Sequence, residues 1–216
     1  MVVSPHPDDE TLGAGGSLFR YKKEGHKIYW LNVTDIDEMS GWPKEVVDKR
    51  KQQIKQIKEL YKFDGFYNLR FTPTTLGDIS ENELISAISK CIHEVEPQVL
   101  LLPNPYDAHS DHKYVFNAAM ACTKVFRYPY IKKILTMEIL SETDFGSLYH
   151  SFEANYYIDI TDCIEDKIDA LKIYDTELGE PPFPRSIDAV KALATLRGGA
   201  AGVRYAEAFH VIKVIE

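Results

Sequence analysis

The chain is expected to fold as an α/β protein, a three-layer α/β/α sandwich around a mainly parallel sheet. Three observations lead there. Short apolar runs alternate with longer stretches whose apolar residues recur at helical spacing, the βα rhythm of a parallel sheet. The most hydrophobic run, Val99-Leu100-Leu101-Leu102, has no polar alternation, as befits a strand with helices on both faces. Two clusters, His6-Pro7-Asp8-Asp9-Glu10 and His109-Ser110-Asp111-His112, each follow such an apolar run. Open parallel sheets gather their ligands at that end of their strands.

The elements follow in order. Met1–Ser4 reads as a first strand, and Glu10–Lys23 as a helix anchored by Leu12, Leu18, Phe19 and Tyr21, with Gly25 as its stop. Residues 27–34 (KIYWLNVT) form a second strand, and 35–43 a polar loop carrying Trp42. Lys44–Lys62 is a helix with Val47, Ile54, Ile57 and Tyr61 at helical spacing, followed by a weaker strand at Gly65–Phe71. Ser80 with Glu83 is a capping box opening a helix to Val95, which Pro97 ends. Gln98–Pro103 is the apolar strand, and His112–Phe126 a helix. Ile131–Leu140 and Ala154–Ile160 read as strands, and Thr161 opens a helix through Tyr174. The turn Glu180-Pro181-Pro182-Phe183-Pro184 reads as a loop, because the tail beyond it is too short for a second domain. One domain over 1–216 is the expectation.

The 216 residues, 44% hydrophobic and 27% charged, describe an ordinary globular chain. A formal net charge of −8 argues against nucleic acid as a partner, since phosphate binding needs a basic footprint. The one basic segment, with Lys44, Lys49, Arg50, Lys51, Lys55, Lys58 and Lys62, reads as a solvated helix face. Three widely spaced cysteines, Cys91, Cys122 and Cys163, fit reduced thiols in a cytoplasmic protein. No secretory leader is visible, and no apolar run approaches the ~20 residues of a membrane-spanning helix.

The clusters carry the chemistry. His6 and Asp9 lie in one loop entering a helix, and His112 lies on the neighbouring strand-to-helix turn. Two His and one carboxylate with an open position make a catalytic zinc set, and bound water there ionises near neutral pH. Asp8 would then be the general base. His109 would stabilise an oxyanion and protonate a leaving amine, held by Asp111 or Asp107. Zn²⁺ is the expected ion, with Fe²⁺ as the alternative. The same trio is also the facial triad of a non-haem Fe(II) oxygenase, which the βα rhythm and the spare Asp8 disfavour. A non-catalytic carbohydrate-binding module is a third reading. Gly13-Ala14-Gly15-Gly16 lacks the spacing of a dinucleotide loop and fits close helix–sheet packing instead. Trp42 is either a sugar-stacking platform or an anchor of its own loop. The aromatic stretches Phe63–Phe71 and Tyr149–Tyr157 read as core.

VVSPHPDDETLGAGGSL, PNPYDAHSDHKYV and RGGAAGVRYAEAF follow one another along nearly the whole chain. In these motifs the sequence resembles the PIG-L/LmbE-like family of zinc-dependent de-N-acetylases. The resemblance implies a Rossmann-like fold, with His6, Asp9 and His112 as metal ligands and Asp8 as base. It implies His109 as the oxyanion-stabilising acid partnered by Asp111, and Arg50 at the substrate pocket. It also implies an N-acetylated amino sugar, free or as a glycoconjugate, as substrate. An oligomer is compatible with this reading. The sequence departs from the family at three places. Gln53 stands where Glu usually follows the arginine, Thr34-Asp35-Ile36-Asp37 replaces T-x-G, and Tyr174-Asp175-Thr176-Glu177 replaces a late Ser-Gln.

Overall fold

A computed structural model describes residues 1–146 and 150–216. Its strands are β1 (Val2–Ser4), β2 (Tyr29–Thr34), β3 (Gly65–Phe71), β4 (Val99–Leu102), β5 (Lys133–Met137), β6 (Tyr156–Asp159) and β7 (Ala206–Val214). Its helices are α1 (Asp9–Lys23), α2 (Lys44–Tyr61), α3 (Glu81–Val95), α4 (Ser110–Ala121), α5 (Ile164–Ile173) and α6 (Ile187–Ala201), with a 3₁₀ turn at Thr161–Cys163 before α5.

All strands pair in one sheet, in the order β3-β2-β1-β4-β5-β7-β6. β3, β2, β1, β4 and β5 are parallel, while β7 runs antiparallel to both β5 and β6. The chain winds outward from β1 to β3 and then returns to lay β4 on the other side of β1. The crevice between β1 and β4 is therefore the switch point where such sheets bind ligands. Both histidine clusters leave the sheet there.

Alternation along the strands divides the core into two layers. Val2, Trp30, Leu101 and Leu135 pack with α1, α2, α5 and α6. Val3, Leu31, Leu100, Leu102 and Ile134 pack with α3 and α4. The unbroken apolar run of β4 is explained, since both its faces lie under helices.

The sequence reading differs at several boundaries. α4 starts two residues earlier than expected, at Ser110, and ends at Ala121 rather than Phe126. Phe126 lies beyond it, 79% exposed. α6 and β7 were not expected. β7 alternates only weakly, because its first half is buried and its second half is an exposed ribbon. α6 ends Gly198-Gly199-Ala200-Ala201, a composition that masks a helix. The Ser80 cap forms, its hydroxyl accepting from the Glu83 N–H at 3.1 Å. Tyr149 of the second aromatic stretch lies outside the described residues.

The glycines of α1 set its distance from the sheet. A Cβ on Gly16 would lie 2.8 Å from the Ile160 side chain, and one on Gly13 would lie 2.9 Å from Met137 and Ile139. The same contact buries a charge pair. Glu207 accepts from the Gly16 and Ser17 N–H groups at 2.9 and 2.7 Å, from the Ser17 hydroxyl at 2.5 Å and from Lys167 at 2.7 Å. Lys167 also donates to the Leu12 carbonyl at 2.8 Å.

Candidate active site and metal centre

The turn from β1 into α1 sends two adjacent carboxylates in different directions. Asp8, the residue before the helix, has φ 139°, a conformation that residues with a side chain rarely adopt. Its N–H donates to Glu10 Oε2 at 3.0 Å, and its carbonyl accepts from Thr11 and Leu12. Glu10 is held in turn by the Thr11 hydroxyl at 2.7 Å and by Tyr174 at 3.0 Å. Burial pushes the Glu10 carboxyl up to about 7.

Asp9, one residue later, faces the imidazoles. Its Oδ2 accepts from the His6 N–H at 2.8 Å and lies 3.3 Å from both His6 Nδ1 and His112 Nε2. The second cluster arrives from the turn between β4 and α4. His112 is fully buried, and its Nδ1 meets Asp107 Oδ2 at 2.7 Å. Asp107 is fixed by donors from Asn104 at 3.1 Å and Thr143 at 2.7 Å. His112 Nε2 is left without a hydrogen-bond partner inside the protein. It stands within ion-pair distance of Asp9 but without hydrogen-bonding geometry.

That orphaned nitrogen is the fit test for a metal. His6, Asp9 and His112 each offer one ligand atom, and these atoms lie within 4.8 Å of one another. Two imidazoles and a carboxylate are a donor set for zinc or ferrous iron. A buried imidazole fixed through its other nitrogen by a carboxylate is the usual outer-shell arrangement of such a ligand. The electrostatics agree that positive charge belongs here. Burial opposes charge on His112, but Asp9 and the hydrogen bond with Asp107 raise it to about 10. Burial likewise opposes charge on His6, and hydrogen bonds with Asp111 and Asp9 raise it to about 9. A second grouping, His6 with His109 and Asp111, also comes within that distance. There, however, Asp111 Oδ2 is taken up by His6 Nε2 at 3.0 Å and the Thr74 N–H at 2.8 Å. Asp111 Oδ1 is buried without a partner as well, but His6 and Asp111 are already bonded to each other, whereas the first grouping keeps an unpartnered imidazole nitrogen beside a carboxylate and is the better cation site.

The two carboxyls of Asp8 and Asp9 are pushed apart. Burial would raise Asp9, but the charge of His112 and the close approach of both imidazoles hold it well below its usual range. Burial, then the charge of Asp9, pushes Asp8 well above its usual range, with Arg185 opposing. Arg185 Nη1 donates to Asp8 Oδ2 at 2.8 Å, and Nη2 to Glu142 Oε1 at 2.9 Å.

His109 stands beside His6, ring centroids 4.4 Å apart. Its Nδ1 accepts from the Asp111 N–H at 3.1 Å, so the neutral ring carries its proton on Nε2. Burial, then the charge of His6, lowers its pKa. The Asp111 carboxylate lies 3.9 Å from His109 Nδ1 and is bonded to His6 instead. Of the two aspartates weighed as His109's partner, Asp107 goes to His112 and Asp111 chiefly to His6.

The cluster opens into a cavity of about 280 Å³ whose wall includes Trp42, Arg50, Glu142, Glu177 and Arg185. Trp42 is 44% exposed there. Arg50 turns inward, donating to the Pro7 carbonyl at 2.7 Å and to Glu177 at 2.5 Å, while its lysine neighbours pair with surface acids. A larger cavity of about 950 Å³ lies beside Tyr106, Phe116 and His210, but Asp107 is its only wall residue from the paired carboxylates and imidazoles, so volume does not mark the site.

Sequence reasoning missed Arg185 and Glu142. Glu142 lies just past the end of β5, so the strand-end rule that flagged the two clusters reaches it. Arg185 follows the proline-rich turn with no local signal. Two departures from the family pattern meet: Gln53 Nε2 donates to Asp175 Oδ1 at 3.0 Å. From the same late segment, Tyr174 supports Glu10 and Glu177 pairs with Arg50.

Residues 1–123 match the family PIG-L, described as GlcNAc-PI de-N-acetylase. Diacetylchitobiose deacetylase of Thermococcus kodakarensis is 24% identical over 228 residues, covering 98% of this chain and 82% of that protein. The probable N-acetyl-alpha-D-glucosaminyl L-malate deacetylase 2 of Bacillus anthracis is 27% identical over 120 residues, 52% of this chain and 53% of that protein. The crystal structure of the conserved protein TT1542 from Thermus thermophilus superposes with a TM-score of 0.80 at 24% identity, covering 100% of this chain and 94% of that one. It shares the fold.

Proposed function

The chain belongs to the PIG-L, GlcNAc-PI de-N-acetylase, family, and from that premise we propose that it is a metal-dependent hydrolase removing an N-acetyl group from an amino sugar or its glycoconjugate. We read residues 1–216 as one Rossmann-like deacetylase domain acting in the cytoplasm. No helix among the described residues is long and apolar enough to cross a membrane. The observation that carries the reading is His112 Nε2, a buried ring nitrogen without a partner, set beside Asp9 and His6.

His6, Asp9 and His112 would hold the ion, Zn²⁺ first and Fe²⁺ as the alternative the same donors accept. Bound there, it would supply Lewis acidity and a water acidified to near neutral pH.

The protein's own groups do the rest. Asp8, buried and clamped by Arg185, accepts the proton of the attacking water. His109 donates from Nε2 to the oxyanion that forms as the acetyl carbonyl is attacked; because the neutral ring keeps that proton, the one taken up by Asp8 is passed on to the departing amine. Asp111 fixes the His6 ring and, through its N–H, the His109 tautomer. Trp42 and Arg50 line the sugar's side of the cavity. The oxygenase reading is not favoured, because the family and its relatives are deacetylases.

The test is acetate release from N,N′-diacetylchitobiose by zinc-loaded protein, with Asp8→Asn alongside. Loss of the base should lower kcat by about 10²–10⁴, with one metal ion per chain still bound. Equal activity of the variant, or release that persists after the metal is stripped, refutes the mechanism.

A further inference from the structure

We propose that this cavity selects an uncharged aglycone over an anionic one, and that Glu177 is the residue that sets this preference. The inference rests on the deacetylase reading and narrows it to a substrate class. Pockets that bind carboxylate or phosphate present arginine N–H groups to the ligand in pairs. Two arginines line this cavity, and both are already occupied. Arg50 Nη1 donates to the Pro7 carbonyl at 2.7 Å and Nη2 to Glu177 Oε1 at 2.5 Å. Arg185 uses Nε for Ser141 Oγ at 2.5 Å, Nη1 for Asp8 at 2.8 Å and Nη2 for Glu142 at 2.9 Å. The other oxygen of Glu177 lies 3.5 Å from Arg185 Nη1, so one carboxylate faces both guanidinium groups.

Outside the metal trio, no cationic side chain on this wall lacks a carboxylate. The lining residues include no lysine, and four carboxylates, Asp8, Asp35, Glu142 and Glu177, stand against two guanidinium groups, Arg50 with Glu177 and Arg185 with Asp8 and Glu142. Asp35 is held by the Asn68 amide at 2.7 Å and the Ile36 N–H at 2.9 Å, neither of them charged. An anionic aglycone would have to displace a carboxylate from its guanidinium or lie against like charge, and either disfavours binding. Sugar hydroxyls meet the opposite situation, since ionised carboxylates only accept hydrogen bonds and hydroxyls donate them. The exposed Trp42 adds an apolar face to the same wall.

Glu177 is the pivot because, among the described residues, it alone lies within ion-pair distance of both arginines. Glu177→Gln would remove the negative charge that offsets Arg50 while leaving Arg185 with Asp8 and Glu142.

The experiment compares two de-N-acetylated α-glucosaminides that differ in the charge of the aglycone: glucosamine linked to malate dimethyl ester, which is uncharged, and glucosamine linked to malate. Their affinities for zinc-loaded wild type, Glu177→Gln and Glu177→Asp are measured by calorimetry. Acetate release from the acetylated forms is followed separately. Wild type should bind the uncharged aglycone at least about tenfold more tightly. Glu177→Gln should narrow that ratio by about tenfold, and Glu177→Asp should keep most of it. A wild-type preference for the charged malate compound, or a ratio unmoved by Glu177→Gln, overturns the proposal. The expected binding ratios without acetate release would refute the deacetylase reading and leave this selectivity standing. Acetate release with the ratio reversed would do the opposite.

Discussion

Replacing Asp107 with asparagine tests how the metal site is assembled, because Asp107 touches the site only through His112. Its Oδ2 meets His112 Nδ1 at 2.7 Å, and its Oδ1 accepts from Asn104 Nδ2 and the Thr143 hydroxyl. Those two donors decide how an asparagine must sit. Its amide oxygen has to face them, which turns the amide NH₂ toward His112 Nδ1. The ring can accept that bond only by carrying its own proton on Nε2, the atom that belongs to the metal trio. The variant therefore sets the wrong tautomer as well as deleting a charge. A hydrogen bond to a charged group contributes about 1.5–3 kcal/mol, equivalent to roughly 10–100-fold in affinity. Loss of an outer-shell partner of a metal ligand has the same usual cost, about 10–100-fold. Zinc affinity measured by competition with a chromophoric chelator should fall by that factor, while the far-ultraviolet circular dichroism spectrum stays that of the wild type. Affinity within about threefold of wild type, less than 1 kcal/mol, would show that Asp107 does not fix the ring and that His112 is not held as a ligand.

Two further substitutions probe the frame beneath the site. Glu207→Ala strands Lys167, which is 5% exposed, so denaturant unfolding should show a loss of about 3–5 kcal/mol, the cost of an uncompensated buried charge. A loss below ~1 kcal/mol would mean that water reaches Lys167. Gly16→Ala drives a methyl group to 2.8 Å from the Ile160 side chain and should cost about 1–3 kcal/mol by the same measurement, whereas a neutral result would show that α1 can lift from the sheet.

The two clusters were legible because strand-end histidines and aspartates carry their chemistry in short, local words. His6 to Glu10 and Asp107 to His112 each lie on one turn, so side-chain type and strand position were enough to bring them to one crevice. The layering of the sheet was legible for a similar reason, since β1, β2 and β4 are apolar on both faces. What the sequence withheld is long-range. Arg185 reaches Asp8 across 177 positions, and Glu177 reaches Arg50 across 127. Neither pairing leaves a periodicity or spacing. β7 escaped notice because an antiparallel strand, half buried and half exposed, breaks the pattern that identified its parallel neighbours. The partner of His109 was underdetermined, because Asp107 and Asp111 are equally near in sequence and only the start of α4 at Ser110 sends them to different imidazoles.

The strained backbone at Asp8 links the buried frame to the chemistry. A residue with a side chain at φ 139° costs on the order of 1–3 kcal/mol and persists only where its surroundings over-determine it. Here the surroundings are Glu10, which accepts the Asp8 N–H at 3.0 Å, and Thr11 and Tyr174, which hold Glu10. The strain separates two consecutive carboxylates. Asp9, with ordinary helical geometry, turns to the imidazoles, while Asp8 turns to Arg185. The buried Glu10 network, which reaches the cavity wall through the Asp8 N–H and through the Tyr174 ring beneath Arg50, is thus what allows one short motif to hold a metal-facing carboxylate and a proton acceptor side by side.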